Sequence, residues 1–170
     1  MTGKRHSLNK ATVSTGSFTT TGPAYEFDGA NDYIDIPAVI ANGSYSVSFW
    51  GFKNTDKIAD QYVLDARAGG GAGYIFFDDS NNDNNLQASS GTIYTNGTAT
   101  NPEIPEKVWQ HYVVTGITLE VASNIYIGRY NASVASIFDG QISGMKIWNR
   151  ILTANEAEQL FSRERSIYGV

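Results

Sequence analysis

The chain has 170 residues, no cysteine, 17 glycines and 4 prolines, with 17% charged residues and a formal net charge of −5. It holds 15 Ile, 10 Val and 14 Thr against 6 Leu and 2 Met, with 10 Tyr, 8 Phe and 3 Trp. That balance excludes a helix bundle, because branched and aromatic side chains suit a pleated surface. The missing cysteines exclude zinc ribbons, thiol catalysis and iron–sulfur clusters. Two histidines make a multi-histidine metal site untenable, and the acidic balance argues against a nucleic-acid partner. No apolar run nears the ~20 residues of a membrane span.

In chain order, residues 1–10 read as a polar N-terminal arm with Lys4, Arg5 and Lys10 and no apolar signal core. Residues 11–170 read as one domain. Tyr25–Phe27 and Tyr33–Ile36 alternate apolar and polar around Gly29, and Pro37 closes the second. Tyr45, Val47 and Phe49 fall on one face of the next strand, with Trp50 and Phe52 on the other. Tyr62–Leu64, Tyr74–Phe77 and Thr92–Thr95 follow, and the run 78–85, rich in Asp and Asn, reads as a polar loop. Thr95-Asn96-Gly97-Thr98 predicts a type I′ turn, since both central residues tolerate positive φ. Trp109–Thr115, Asn124–Gly128 and Gln141–Trp148 complete the strands. Thr153-Ala154-Asn155-Glu156 is a capping box, and Leu152, Glu156, Leu160 and Phe161 mark a short amphipathic helix, expected to cover one end or edge of the domain. Eight to ten short strands with Gly, Asn and Pro between them predict an all-β, two-sheet antiparallel jelly-roll sandwich with one short C-terminal helix.

Six stretches carry a family resemblance. Tyr25 to Pro37 closely resembles the opening strand pair of the laminin-G-like, concanavalin A-like jelly rolls. Ser44 to Trp50 is similar to the next strand, Ile93 to Gly97 to a family hairpin, and Trp109 to Thr115 to a strand bearing Trp and His. Ile125 to Arg129 with Phe138 to Ile142 is similar to the penultimate pair, and Trp148 to Glu156 to the last strand and terminal helix. The order of the six covers roughly residues 11–162 and implies two curved antiparallel sheets. This fold hosts lectins, hydrolases, adhesion modules and virion proteins, so function must come from the residues.

Catalysis finds little support in them. Period-2 spacing puts Glu26 and Asp28 on one face, as some glycan hydrolases of the fold require. Asn31 stands where that pattern wants a further Glu, and the pair lies on the opening strand, so the chain reads as no enzyme. Asp28 serves a turn instead, with Gly29 beside it. His111 reads as a hydrogen-bonded structural histidine, and Trp50, Trp109 and Trp148 as core. The resemblance implies a structural calcium ion near the sandwich rim, for which Glu26, Asp28, Asn31, Asp32 and Asp139 supply hard oxygen donors. Phe27-Asp28-Gly29 and Phe138-Asp139-Gly140 look alike, and strands near the two ends of such chains pair.

Glycan recognition needs aromatic platforms with planar polar groups. Tyr74, Asp78, Asp79, Tyr94, Asn96, Arg129, Tyr130 and Asn131 are the candidates. The sequons at Asn42, Asn96 and Asn131 number what chance gives, about 2.4, and identify nothing. The resemblance, with no disulfide and no export signal, implies a non-catalytic binding or structural module on a bacteriophage virion surface. A decoration, fibre or tail protein of this kind assembles in the host cytoplasm and binds a glycan or a capsid or tail protein. The N-terminal arm would serve attachment or homo-oligomer (trimer) formation. The alternative is a calcium-dependent lectin or carbohydrate-binding module cut from a secreted, extracellular protein.

Overall fold

The computed structural model describes residues 5–6, 24–37, 40–55, 59–67, 71–79, 84–131 and 136–170. The rest of the arm, residues 80–83 of the polar loop, and Ala132 and Ser133 of the third sequon lie outside the described residues. Among the described residues the strands are β1 Arg5–His6, β2 Ala24–Asp28, β3 Tyr33–Pro37, β4 Gly43–Lys53, β5 Gln61–Arg67, β6 Tyr74–Asp78, β7 Asn85–Ala88, β8 Thr92–Thr95, β9 Trp109–Leu119, β10 Val121–Ile127 and β11 Asp139–Trp148, followed by α1 Ala154–Glu164. They form a six-stranded sheet ordered β1-β3-β10-β5-β6-β7 and a five-stranded sheet ordered β2-β11-β4-β9-β8. This is the expected jelly-roll sandwich, and no helix among the described residues is long and apolar enough to cross a membrane.

Two elements were not expected. Arg5 and His6 of the polar arm add to the edge of β3, opposite Tyr33 and Ile34, and they do so in parallel. Asn85–Ala88, whose first residue the sequence assigns to the polar loop, pairs with β6 through Leu86 opposite Phe77. Leu86 is fully buried, and one apolar side chain anchors a strand whose neighbours are polar. The similar Phe-Asp-Gly segments do pair: Asp139 lies opposite Asp28 and Gly140 opposite Phe27. The type I′ turn forms with Asn96 at φ 50° and Gly97 at φ 81°. It closes on a single Thr95–Thr98 bridge, and the chain then runs through residues 99–108 before β9 begins.

The inter-sheet core takes Val47, Phe49, Tyr112 and Val114 from one sheet and Leu64, Ile75, Phe77, Ile125 and Ile127 from the other. The opposite faces of β4 and β9 are also buried. Trp50 and Trp109 pack with Phe161 and Tyr168, and Val113 packs with Leu152 and Ala157. The helix therefore lies across the outer face of the five-stranded sheet, as a third layer, and not at an end or edge. Both strands carry apolar residues on both sides, so this face needs a cover of its own. The capping box holds the helix start: Thr153 Oγ1 accepts from Glu156 N at 3.3 Å, and Glu156 Oε2 accepts from Thr153 N at 2.8 Å. Hydrogen bonds from Arg150, then from Thr153, keep the Glu156 carboxyl down at about 2. Trp50 Nε1 donates to Glu164 Oε2 at 2.9 Å, and the Tyr168 ring stacks on Trp50 at 4.1 Å. Trp50 and Trp109 are thus buried beneath the helix, outside the space between the sheets, and Trp148 is only half-buried.

His111 sits in that box, fully buried, 4.9 Å from the Trp50 ring centroid and 6.2 Å from Phe161. Its backbone N–H donates to Asn96 Oδ1 at 3.0 Å. Neither ring nitrogen has a hydrogen-bond partner, so the expected hydrogen-bonded ring is replaced by an aromatic enclosure. Burial pulls its pKa down to about 4, against the pull of Glu164 and with the help of Lys146.

Two predictions follow from this packing. The unfolded chain protonates its histidine near 6.5 and the folded chain only near 4, so stability is full above pH 6.5 and falls as pH drops towards 4. In urea unfolding, His111→Leu should remove about 3 kcal/mol of the loss between pH 7 and pH 4. Gly128 opens the loop that carries Arg129 to Asn131. It sits at φ 85°, and a Cβ there would lie 2.3 Å from the Phe27 ring. Gly128→Ala should cost about 3 kcal/mol or more, read as a fall in thermal midpoint.

Candidate functional site

Strand alternation that sends Ile125 and Ile127 inward sends Tyr126 outward, and the same rule places Tyr33, Asp65, Tyr74 and Phe76 on the outer face of the six-stranded sheet. No helix covers this face among the described residues. Arg67 is at its centre. Its guanidinium carbon lies 4.4 Å from the Tyr74 ring centroid, 4.6 Å from Tyr130 and 5.2 Å from Tyr62. Tyr62 in turn stacks with Phe76 at 5.0 Å and with Tyr130 at 5.1 Å. Alongside, the Arg129 guanidinium lies 4.3 Å from Tyr33 and 4.8 Å from Tyr126. The face is a sheet of rings with two planar cations set among them. Tyr33, Tyr74, Phe76, Tyr126 and Tyr130 are half-buried, and Tyr62 is buried beneath them.

Asp65 holds the arrangement together. Its carboxylate is fully buried and takes Arg67 Nε at 3.1 Å and Nη2 at 2.7 Å, a forked pairing that fixes the guanidinium plane. It also accepts the backbone N–H of Asn131 at 3.2 Å. Asn131 Nδ2 donates to Arg67 O at 2.8 Å, and Arg129 donates to the carbonyls of Tyr130 and Asn131. The 128–131 loop is thereby tied to β5. Burial alone would weaken the Arg67 charge, but the bonds from Asp65 and Tyr62 outweigh it and raise the Arg67 pKa further. Burial raises the Tyr62 hydroxyl, with Arg67 opposing.

The structure brings four of the eight glycan candidates together here: Tyr74, Arg129, Tyr130 and Asn131. It places the others elsewhere. Asp78 is buried opposite Asn85. Asp79 is buried in an ion pair with Lys53 at 2.9 Å, and Gln61 Nε2 donates to its second oxygen at 2.6 Å. Neither carboxylate is presented to a ligand, because each lies at the end of β6 against the sandwich rim. Tyr94 packs under α1. Asn96 lines, with Tyr94, a cavity of about 640 Å³ between the turn and the helix, and its Oδ1 is engaged by His111 N. Tyr33, Tyr62, Asp65, Arg67, Phe76 and Tyr126 were missed. Their signal was present as Asp65-x-Arg67 and Tyr74-x-Phe76, pairs that a strand puts on one face.

Of the expected calcium donors, Asp28 and Asp139 face each other across β2 and β11, and Asn31 and Asp32 lie in the turn after β2. Glu26 is exposed on β2. Asp28 Oδ1 accepts the backbone N–H groups of Ala30, Asn31 and Asp32 at 2.9, 2.9 and 3.3 Å, the turn role expected of it. Asp139 accepts from Asn54 Nδ2 and Thr55 Oγ1 at 3.0 and 3.1 Å. Among the described residues no group of three His, Cys, Asp or Glu side chains is placed to hold a metal ion.

A family model described as concanavalin A-like lectin/glucanases superfamily, of laminin-G type, matches residues 28–121. The chain belongs to that superfamily. Among solved structures, this superfamily member is similar to domain 4 of AbnA, a GH43 extracellular arabinanase from Geobacillus stearothermophilus, solved with arabinotriose. The TM-score is 0.57 at 15% identity, over 82% of this chain and 77% of that one. A mutant of HCR/D scores 0.44 at 13% identity, over 91% of this chain and 46% of that one. No curated protein matches the sequence.

Removing the carboxylate should expose its structural role. Asp65→Ala leaves the Arg67 guanidinium without its anion and frees the Asn131 loop. It should lower the unfolding free energy by about 3 kcal/mol in urea titration.

Proposed function

We propose that this domain is a non-catalytic carbohydrate-binding module whose ligand lies on the outer face of the six-stranded sheet. The observation that carries the reading is the set of half-buried rings, Tyr33, Tyr74, Phe76, Tyr126 and Tyr130, interleaved with Arg67 and Arg129. Sugar rings present apolar C–H faces and a rim of hydroxyls. Flat aromatic and guanidinium surfaces meet the first, and tyrosine hydroxyls, arginine forks and the Asn131 side chain meet the second. Rigid donors lose little entropy on binding, and Asp65 and the ring stacks fix Arg67 before a ligand arrives. Asp65 also offsets the charge of Arg67, so the guanidinium plane there can meet a neutral oligosaccharide. The similar fold of the arabinanase domain, solved with arabinotriose, supports an oligosaccharide as the class of ligand.

The non-catalytic part of the reading is supported by Asp28, whose Oδ1 accepts three backbone amides in the turn role the sequence assigns to it. Calcium is not required for it, since the face meets the sugar through rings and guanidinium groups and not through a metal. Display of the same face on a phage particle is one setting open to such a chain, since a domain without disulfides folds without an oxidising compartment.

Binding to an array of neutral oligosaccharides, arabino-oligosaccharides included, followed by calorimetry, tests the reading. The expected result is binding that survives a chelator and weakens at least tenfold in Tyr74→Ala and Tyr130→Ala, roughly the value of one lost stacking contact. No ligand hydrolysis is expected, in the natural chain or in Glu26→Gln. An array silent for the folded protein sinks the proposal. Binding lost to the chelator would return the site to the Asp28 and Asp139 rim.

A further inference from the structure

The buried lysine at the sandwich rim has more chemistry around it than a salt bridge needs. Lys53 ends β4 in the five-stranded sheet and is 1% exposed. Its Nζ is 2.9 Å from Asp79 Oδ1, both side chains being fully buried, and in direct contact with Asn84 Oδ1. Asp79 and Asn84 belong to the other sheet, just after β6 and just before β7. Every member is held. Gln61 Nε2 donates to Asp79 Oδ2 at 2.6 Å, while Gln61 Oε1 accepts Asp139 N at 2.8 Å. Asn84 Nδ2 donates to Ile104 O at 3.1 Å, and Ile104 N returns a bond to Asn84 O at 2.7 Å. Asn84 takes φ 42°, an uncommon backbone for a side-chain-bearing residue. A buried ion pair is weak evidence for stability, because desolvation consumes most of the attraction, and an apolar pair of the same size would fill the rim as well.

We propose that Lys53 and Asn84 form an intramolecular isopeptide bond, with Asp79 as the proton carrier. Asp79 Oδ1 takes a proton from the Lys53 ammonium and frees the Nζ lone pair. Nζ attacks Asn84 Cγ, one bond beyond the oxygen it touches. A C–N bond forms and the carbonyl electrons move onto Oδ1. Nζ then sheds a proton, Nδ2 gains one, and the C–Nδ2 bond breaks as the carbonyl re-forms. Ammonia departs, Asp79 returns its proton to it, and the carboxylate ends as it began. The net change is an ammonium side chain plus a primary amide giving a secondary amide plus ammonium ion, with no oxidant and no other reactant. Reacting groups held in contact, beside a lysine and a carboxylate that are both fully buried, supply the proximity such a transfer needs. The bond would join the two sheets across a chain separation of 31 residues, in a protein that has no cysteine for a disulfide.

Intact mass spectrometry of the denatured full chain tests this. The expected mass is about 17 Da below that of the sequence, the weight of one ammonia. Trypsin should leave the Lys53 bond uncut and release a branched peptide joining residues 11–57 to residues 68–107. Lys53→Met and Asn84→Ala should each restore the full mass while circular dichroism shows the same strand content. A full-mass natural chain overturns the proposal. So does a 17 Da loss that persists in Lys53→Met, which would belong to succinimide formation at an Asn-Gly step. Asp79→Ala should leave the two side chains unjoined, and a crosslink formed there at the natural rate removes Asp79 from the mechanism.

Discussion

Gly43–Lys53 pairs along nearly its whole length with Trp109–Leu119, and both strands are buried on both faces. The rest of the molecule is arranged around that double burial. One set of alternating side chains, Val47, Phe49, Tyr112 and Val114, closes the core between the sheets. The other set, Trp50, Trp109, His111 and Val113, would meet water if the chain ended at Trp148 (the last strand). The C-terminal helix and Tyr168 remove it from water, and the Trp50–Glu164 hydrogen bond with the Lys146–Glu164 contact pins them in place. Aromatic burial of this size dominates the energetics of a layer, so one short helix suffices as a cover.

The two outer faces have opposite fates for the same reason. The five-stranded sheet turns tryptophan and valine outward and needs a cover. The six-stranded sheet turns outward tyrosines, whose hydroxyls stay wet, and arginines, whose stems and planes lie along the rings. Such a face is stable exposed and still apolar enough to hold a ligand. Asp65 makes it a surface of fixed geometry, since the buried carboxylate binds both Arg67 and the amide of Asn131. The same residue joins fold and site: it sits in the ladder opposite Tyr126 and Tyr74, so the register of three strands sets where the guanidinium lies.

Much of the fold was legible in the chain. The alternation of Tyr45 to Phe52, the I′ turn at Asn96-Gly97 and the Thr153–Glu156 capping box are local features, decided within a few residues by dihedral preference and side-chain reach. They stand where the sequence puts them. The candidate site was half legible. Of the glycan candidates, Tyr74, Arg129, Tyr130 and Asn131 fall together on the aromatic face, while Arg67 and Tyr62, inside a buried-looking strand, gave no such signal. Asp78 and Asp79 misled because an acidic run normally marks a solvated loop, and nothing near them in the chain announces Lys53, 26 residues earlier.

By itself the sequence determined two-faced strands, their punctuation and the capped helix, because period, turn chemistry and capping act over short distances. Only the tertiary structure decided which face of each sheet is covered. A period of two says that there are two faces and is silent on what lies against either. Tertiary structure also decided that rings from β3, β5, β6 and β10 and the loop after β10 converge on two arginines, and that a lysine, an aspartate and an asparagine from opposite sheets meet at the rim. Those meetings depend on sheet order and register, which are set by the sum of all strand pairings and by no one stretch of chain.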